Sequence, residues 1–316
     1  YGQDTAAIGL ANGNLSHHIT LQHSTCTSIA KCFLVSGGTL SANLSNFDMH
    51  NVTVSSLCWA MGVSGEGGNS WDITTITFHD NEVTDWHNWT NYNDGCHGNG
   101  TMCGNGDGAA THSPNGFVGT SDSTMYNNYL HGDLGGGYSS ASPSGFLSCQ
   151  DNCTDITVFN NVVVSTCTGL NPTRTCGTPI YYNGPGGGGQ VVVNNTIVGA
   201  GGTATNFIEA SNITANTTTQ NNVIDSISNG IAIRPNNTNV TSNYNDMLLI
   251  SAANWECHNT GASGNCRALA QWQASPYFQD LNSIASDPLL TASYKLTASS
   301  PAIGLGTNLT SLGIAA

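Results

Sequence analysis

The chain is expected to be all-β: a single-stranded right-handed parallel β-helix (β-solenoid) with Gly/Asn-rich loops and a short C-terminal helix and cap. Three observations predict this. First, a short phrase returns between Ile156 and Met247, as ITVFNNVVV, VVVNNTIV, TTQNNVID and VTSNYND. Each copy places apolar or Thr residues before an Asn-rich bend and β-branched or apolar residues after it, the pattern of two short strands meeting at a corner. Second, taking the later Asn as anchor gives Asn161, Asn195 and Asn222, then Asn243, with steps of 34, 27 and 21 residues. Steps of that size fit one solenoid coil plus a variable loop. Upstream, MYNNYL and FHDNEV add Asn128 and Asn81 as anchors. Third, Asn suits both demands of such a corner: it tolerates the left-handed backbone of a sharp bend, and stacked amides can hydrogen-bond from coil to coil.

The elements follow in order within one domain, 1–316. Residues 1–75 hold the N-terminal coils, with HITLQHS, CFLVSGG and NVTVSSLCWAMGV as strands punctuated by Gly. Residues 88–122 form a long loop insertion, because the step from Asn81 to Asn128 is 47 residues. Residues 123–247 are the central repeats and 248–316 the closing segment. The Gly-rich run at 183–189 lacks the Lys and Ser or Thr of a phosphate-binding loop and reads as a turn. At about 27–30 residues per coil, the chain would make roughly ten or eleven coils.

The closing segment carries ALAQWQ at 268–273, QDLNSIASDPLL at 279–290, YKL at 294–296 and SPAIGLG at 300–306. This text resembles the end of secreted right-handed parallel β-helix repeat proteins of the pectate-lyase-like group. In those proteins a short helix bearing Trp-Gln precedes an Asp-Pro-Leu turn and a Ser-Pro-Ala-Ile turn. Gly304 departs from the pattern, standing where relatives often have Asp. The resemblance implies the fold, and that fold serves lyases, hydrolases, adhesins and structural rods alike.

Net charge is −14, from 5 basic and 19 acidic residues, and no Lys or Arg lies between residues 32 and 173. Nucleic acid and anionic surfaces are therefore poor partners, and no apolar run is long enough to span a membrane. Eleven cysteines suggest five local disulfides: Cys26 with Cys32, Cys96 with Cys103, Cys149 with Cys153, Cys167 with Cys176, and Cys257 with Cys266, leaving Cys58 over. The N-glycosylation pattern occurs at Asn14, Asn43, Asn51, Asn88, Asn99, Asn152, Asn194, Asn212, Asn216, Asn236, Asn239 and Asn308. In a chain this rich in Asn, Ser and Thr, many of those arise by chance. Together with the start at Tyr1, these features point to a mature secreted or cell-surface glycoprotein.

Chemistry, if present, is expected over residues 79–133. Five of the ten His lie there (His79, His87, His97, His112 and His131), with Asp80, Glu82, Asp85, Asp94, Asp107, Asp122 and Asp133, and with Trp86, Trp89 and Tyr92 among them. Paired carboxylates and rings suit a neutral glycan, so Asp85, Asp94, Asp133, His97 and His131 are the catalytic candidates for a glycoside hydrolase, lyase or carbohydrate-binding rod. The same residues are ordinary turn chemistry, and the Arg or Lys base of a pectate lyase is absent from the region. No cofactor is expected, with calcium near Asp107 in GNGDG as the one metal alternative.

The termini, TAAIGLA and LGTNLTSLGIAA, lack the charge that guards an open strand edge. The reading favoured is thus an extracellular structural or surface protein, not an enzyme, that associates with itself head to tail into filaments. A tail packed back on its own rod is the competing arrangement.

Overall fold

A computed structural model describes residues 6–11, 17–28, 31–37, 44–57, 59–65, 73–86, 115–118, 120–132, 145–150, 154–166, 178–183, 189–199, 206–211, 216–233, 240–258 and 265–314. Its strands form three sheets. The first has ten strands, from Ala6–Ala11 to Asn265–Arg267. The second has eight, from His17–Gln22 to Val240–Asn243, and the third also has eight, from Thr25–Thr27 to Asp246–Leu249. Neighbours within a sheet are every third strand of the chain and pair in parallel, save for the final antiparallel pair. The chain is therefore a right-handed parallel β-helix, with eight complete three-strand coils among the described residues. That is fewer than the expected ten or eleven, because most of the chain after Leu249 closes the rod instead of extending it.

Alternation over most of each second-sheet strand places one set of side chains inside, as in Thr154–Phe159, where Ile156 and Val158 are buried. Phe47, Ile76, Ser123 and Ile156 fall in one inward column, and Met49, Phe78, Met125, Val158 and Val192 in the next. The third sheet contributes Val54, Val83, Leu130, Val163, Ile197 and Ile224, all buried. Burying each such side chain contributes about 1.5–3 kcal/mol, so the stack of columns is the principal apolar core.

The bend between the second and third sheets divides the work expected of one Asn between two residues. The first residue takes the left-handed backbone: His23, Asn51, Asp80, Asn127, Asn160, Asn194, Asn221 and Tyr244 have φ between 51° and 57°. The second is the ladder. Asn81, Asn128, Asn161, Asn195, Asn222 and Asn245 are all buried. Each Oδ1 accepts from the backbone N–H of the preceding coil's bend at 3.0–3.1 Å. Each Nδ2 donates back to a carbonyl of the preceding coil, as in Asn128 to Phe78 O at 2.9 Å and Asn195 to Val158 O at 3.0 Å. The last rung is thus Asn245, which corrects Asn243: in register Asn243 stands at the place of Gln220, Tyr244 replaces Asn221 at the left-handed place, and Asn245 follows Asn222.

A second left-handed row, His18, Asn46, Thr75, Asp122 and Asp155, kinks the second-sheet strands one or two residues after they begin. No Asn pair marks it. Polar residues occupy all five positions, in keeping with the greater tolerance of Asn, Asp and His for this backbone.

The C-terminal end is closed over all three sheets. Asn265–Arg267 pairs antiparallel with Glu256–His258, and Cys257–Cys266 joins the two strands. Asp280 N–H donates to Ser242 O at 2.7 Å, and Ile284 bridges Asp246. The expected Trp-Gln helix is Leu269–Gln273. Its Trp272 indole, with that of Trp255, donates to the Asp280 carboxylate at 3.0 Å. The tail then folds back along the side of the rod. Asn221 exchanges two hydrogen bonds with Thr307, and Leu309 and Ile314 are buried against Val193. The apolar tail is therefore not a bare strand edge, and the competing arrangement, a tail packed on its own rod, is the one observed.

Of the expected disulfides, Cys26–Cys32 and Cys257–Cys266 are formed. The side chains of Cys58, Cys96, Cys103, Cys149, Cys153, Cys167 and Cys176 lie outside the described residues, as do residues 88–114 and the run at 184–188. The expected 88–122 insertion ends earlier than that, because Asn115–Val118 and Thr120–Tyr126 are strands of the rod, paired with Trp59–Gly65 and Ile73–His79.

The split of roles at the bend makes a test. Asn195→Ala strands the Asn161 N–H and the Val158 carbonyl, and should cost about 2–4 kcal/mol in urea unfolding. Asn160→Gly needs only the left-handed backbone and should change stability by less than about 0.5 kcal/mol. Equal effects would contradict the assignment.

Asp246 supplies a pH test. Burial, then the charges of Asp287 and Asp225, raise its carboxyl from 3.8 to about 6, against the lowering effect of the Ser286 N–H. A raised folded-state value means the folded chain holds this proton more tightly than the unfolded one, so stability falls as pH rises from about 4 to about 6 and is level beyond. Asp246→Asn should match wild type at pH 3.5 and exceed it at pH 7.5 by on the order of 1–3 kcal/mol. A pH-independent difference in melting temperature would overturn the cause given.

Candidate functional site

The residue before each bend points outward, and in register these residues make one column on the second sheet: Gln22, His50, His79, Tyr126, Phe159 and Val193. Adjacent strands lie about 4.7–4.9 Å apart, so flat rings at consecutive positions must stack. They do. His50 and His79 have centroids 4.8 Å apart at 18°, His79 and Tyr126 4.6 Å at 4°, and Tyr126 and Phe159 4.7 Å at 10°. His23 meets His50 edge-on at 6.1 Å and 82°. From Phe159 onward the apolar tail packs on the column, leaving the imidazole half outside that cover.

Two residues earlier on each strand the outward column reads Thr20, Asp48, Thr77, Thr124 and Thr157. Asp48 interrupts the Thr series beside the two imidazoles. Its Oδ2 lies 2.8 Å from His50 Nδ1, and its Oδ1 lies 3.2 Å from His79 Nε2. That Oδ1 is buried and makes no well-aligned hydrogen bond. The far ring nitrogens also have acceptors: His50 Nε2 is 2.8 Å from Gln22 Oε1, and His79 Nδ1 is 2.6 Å from Asp80 Oδ2.

Around the bend, the third sheet carries a smaller patch. His131 Nε2 is 2.9 Å from Glu82 Oε1, and the His131 ring stacks on Tyr129 at 4.0 Å. Tyr129 tilts toward Tyr294 of the closing segment at 6.3 Å. Beside it sits Gly132, with φ of 79°, where an added Cβ would meet the Asp85 carboxylate at 2.5 Å. Only Gly admits Asp85 there.

Burial raises the Tyr126 phenol, and the charges of Asp80 and Asp48 raise it further. Tyr129 is raised by burial, then by Tyr294 and Glu82. Both phenols are thus moved away from acid–base duty near neutrality.

Of the catalytic candidates, Asp85 and His131 lie near one another on the third sheet, with Glu82 bonded to His131. His79 and Asp80 belong to the second-sheet column, and Asp122 sits at a left-handed kink. Asp94, His97 and Asp133 lie outside the described residues, as do His87, Trp89, Tyr92, Asp107 and His112 and the Trp86 side chain. Sequence reasoning missed Asp48, His50 and Gln22. Aligning FDMHNV with ITFHDN at the bend would have found the first two, since it places His50 directly before His79 in one column.

The arrangement decides what the face can do. A sugar platform presents ring faces, but here much of the faces is covered by neighbouring rings, so edges point outward. A glycosidase needs an open gap between two carboxylates, but the His79 ring stands between Asp48 and Asp80. Tyr126→Leu, which keeps apolar bulk but removes both ring stacks, should lower stability by about 1–2 kcal/mol in urea. Stability equal to wild type would mean that the faces are not bound to one another, and would restore the sugar platform.

No protein-family model, no curated protein and no solved structure matches the chain.

Proposed function

We propose that the chain is an extracellular, N-glycosylated structural rod of a cell surface or matrix, not a glycan-cleaving enzyme. The observation that carries this reading is the mutual engagement of the outward polar groups: rings stack on rings and imidazoles lie against carboxylates along the second sheet. Chemistry built for catalysis leaves an acid, a base or a ring face open to substrate. Two disulfides favour an oxidising compartment. Among the glycosylation candidates, Asn51, Asn216 and Asn308 are exposed and Asn194 occupies a bend, all places a glycan can be carried. The other eight lie outside the described residues or their side chains do.

Self-association is proposed in a narrower form than head-to-tail growth. A neighbour adding strands at the C-terminal end would have to displace residues 265–286, which already bond to the last coil. Filament growth through that end is therefore not part of the proposal. Contact between copies would instead use the sides of the rod or its first coil.

Two measurements test this. Purified glycoprotein incubated with a panel of neutral and acidic polysaccharides should release no reducing ends, and release abolished by Asp85→Asn would replace the structural reading with the enzymatic one. In parallel, Ile314→Lys should destabilise the fold by about 2–4 kcal/mol, because it puts a charge into the contact with Val193. A variant of unchanged stability that dissolved pre-existing filaments would instead return the tail to the assembly interface.

A further inference from the structure

We propose that Asp48, His50 and His79 form a binding site for one divalent transition-metal ion of the zinc class, clamping the second coil to the third on the outer face of the second sheet. This goes beyond the structural reading and does not depend on it. Among the described residues these three offer one ligand atom each with all three atoms within 4.8 Å. Two imidazoles and one carboxylate are a donor set for zinc and its neighbours, whereas calcium and magnesium take oxygen.

Three features separate this cluster from a chance meeting of polar side chains. Both imidazoles aim their near nitrogens at the same carboxylate, His50 Nδ1 at 2.8 Å and His79 Nε2 at 3.2 Å. Both also have the far nitrogen held by an acceptor, Gln22 Oε1 for His50 and Asp80 Oδ2 for His79. Metal-bound His nearly always donates its other N–H to such a partner, which fixes the tautomer and turns the remaining lone pair toward the ion. Finally, Asp48 Oδ1 is buried and has no hydrogen-bond partner although His79 Nε2 stands 3.2 Å away. A cation between the rings and Asp48 would give that oxygen a partner.

The fit requires little movement. Ligands about 2.0–2.2 Å from a tetrahedral ion stand roughly 3.3–3.5 Å apart, so the carboxylate contacts at 2.8 and 3.2 Å open by at most about half an ångström while the two imidazole nitrogens, which lie within 4.8 Å of each other, draw together. Side chains that are 17% and 29% exposed have room to do so toward solvent. Three protein ligands leave a further position for water or for a donor from another molecule. The Glu82–His131 pair across the bend has one imidazole and one carboxylate, and serves as the internal control.

The experiment uses the full-length glycosylated protein stripped with chelator and titrated with zinc chloride at pH 7.5 by calorimetry, alongside copper(II) for electron paramagnetic resonance. Wild type should bind one zinc at micromolar concentration or tighter with a rise in melting temperature, and the copper spectrum should carry the splitting of two nitrogen donors. His79→Gln and Asp48→Asn should each weaken that site at least about 100-fold. Asp80→Asn should weaken it about 10–100-fold while leaving all three ligands in place. His131→Gln should leave it unchanged. The other histidines can add weaker events, so the test is the loss of the stoichiometric site in the named variants. If a variant fails to fold, zinc-dependent shifts of the His50 and His79 ring protons in wild type decide the matter alone. Absence of stoichiometric binding, persistence of it in both ligand variants, or unmoved ring resonances would overturn the proposal.

Discussion

Everything in this rod is arranged around a file of buried amides. From Asn81 to Asn222 each side chain accepts from the coil before it and donates to the Asn of the coil after it, at 2.9–3.1 Å, and Asn245 accepts the last of these bonds. A buried amide left unbonded costs about 1–3 kcal/mol, so no rung can be removed or slipped without stranding a neighbour. The ladder therefore pins the register of the coils along its length. A slip of one residue would also turn each strand's inner face outward. Amide pairing and apolar burial enforce the same alignment, and agreement between the two is what makes one structure the answer.

Fixed register has a consequence for the surface. Once coils align, any residue type repeated at one coil position becomes a column with about 4.8 Å spacing, whatever the loops between do. Phe78, Met125 and Val158 become core, and Thr77, Thr124 and Thr157 become a polar strip. Gln22, His50, His79, Tyr126 and Phe159 likewise become a stack. Chemistry on such a scaffold arises where a column is interrupted. Asp48 in the Thr strip is the interruption on the second sheet, and it is set beside two imidazoles by alternation alone. Loop lengths do not enter, which is how the 47-residue step between Asn81 and Asn128 leaves the rungs in line.

The same logic explains what could be read from the chain. The fold was legible in the central coils because Asn is rare as a buried residue, and its return beside β-branched residues has few other causes. Its two roles were not separable, because Asn fills both places in the pairs at 160–161 and 221–222. His50–Asn51–Val52, Asp80–Asn81 and Tyr244–Asn245 keep them apart. At Val52 the ladder position is apolar, so the coil bearing Asp48 and His50 carries no buried Asn of its own and fell outside the repeat. The richer 79–133 window drew attention instead, although composition measures proximity in sequence and a solenoid builds sites from neighbours a full coil apart. The closing segment was legible as text, but its tail was not. An uncharged LGTNLTSLGIAA has the same appearance whether it meets another copy or, as here, the side of its own rod.

The ladder also accounts for a feature that looks costly, a fully buried aspartate at its end. Every rung donates toward the C-terminus, so the file is polarised and finishes in N–H groups that have no further amide to meet. Asn245 N–H donates to Ser283 Oγ at 2.8 Å, and its Nδ2 donates to Asp280 Oδ1 at 3.2 Å. The Ser283 hydroxyl donates in turn to Asp280 Oδ1 at 2.5 Å, while the indoles of Trp255 and Trp272 donate to Oδ2. A carboxylate is an acceptor at both oxygens, so it is the one short side chain that can take all four donors at once. Hydrogen bonds in a chain polarise one another, and an anion belongs at the donor end as it does at the start of a helix. A buried charge, usually a liability, is here the group that lets a polar file end inside a protein.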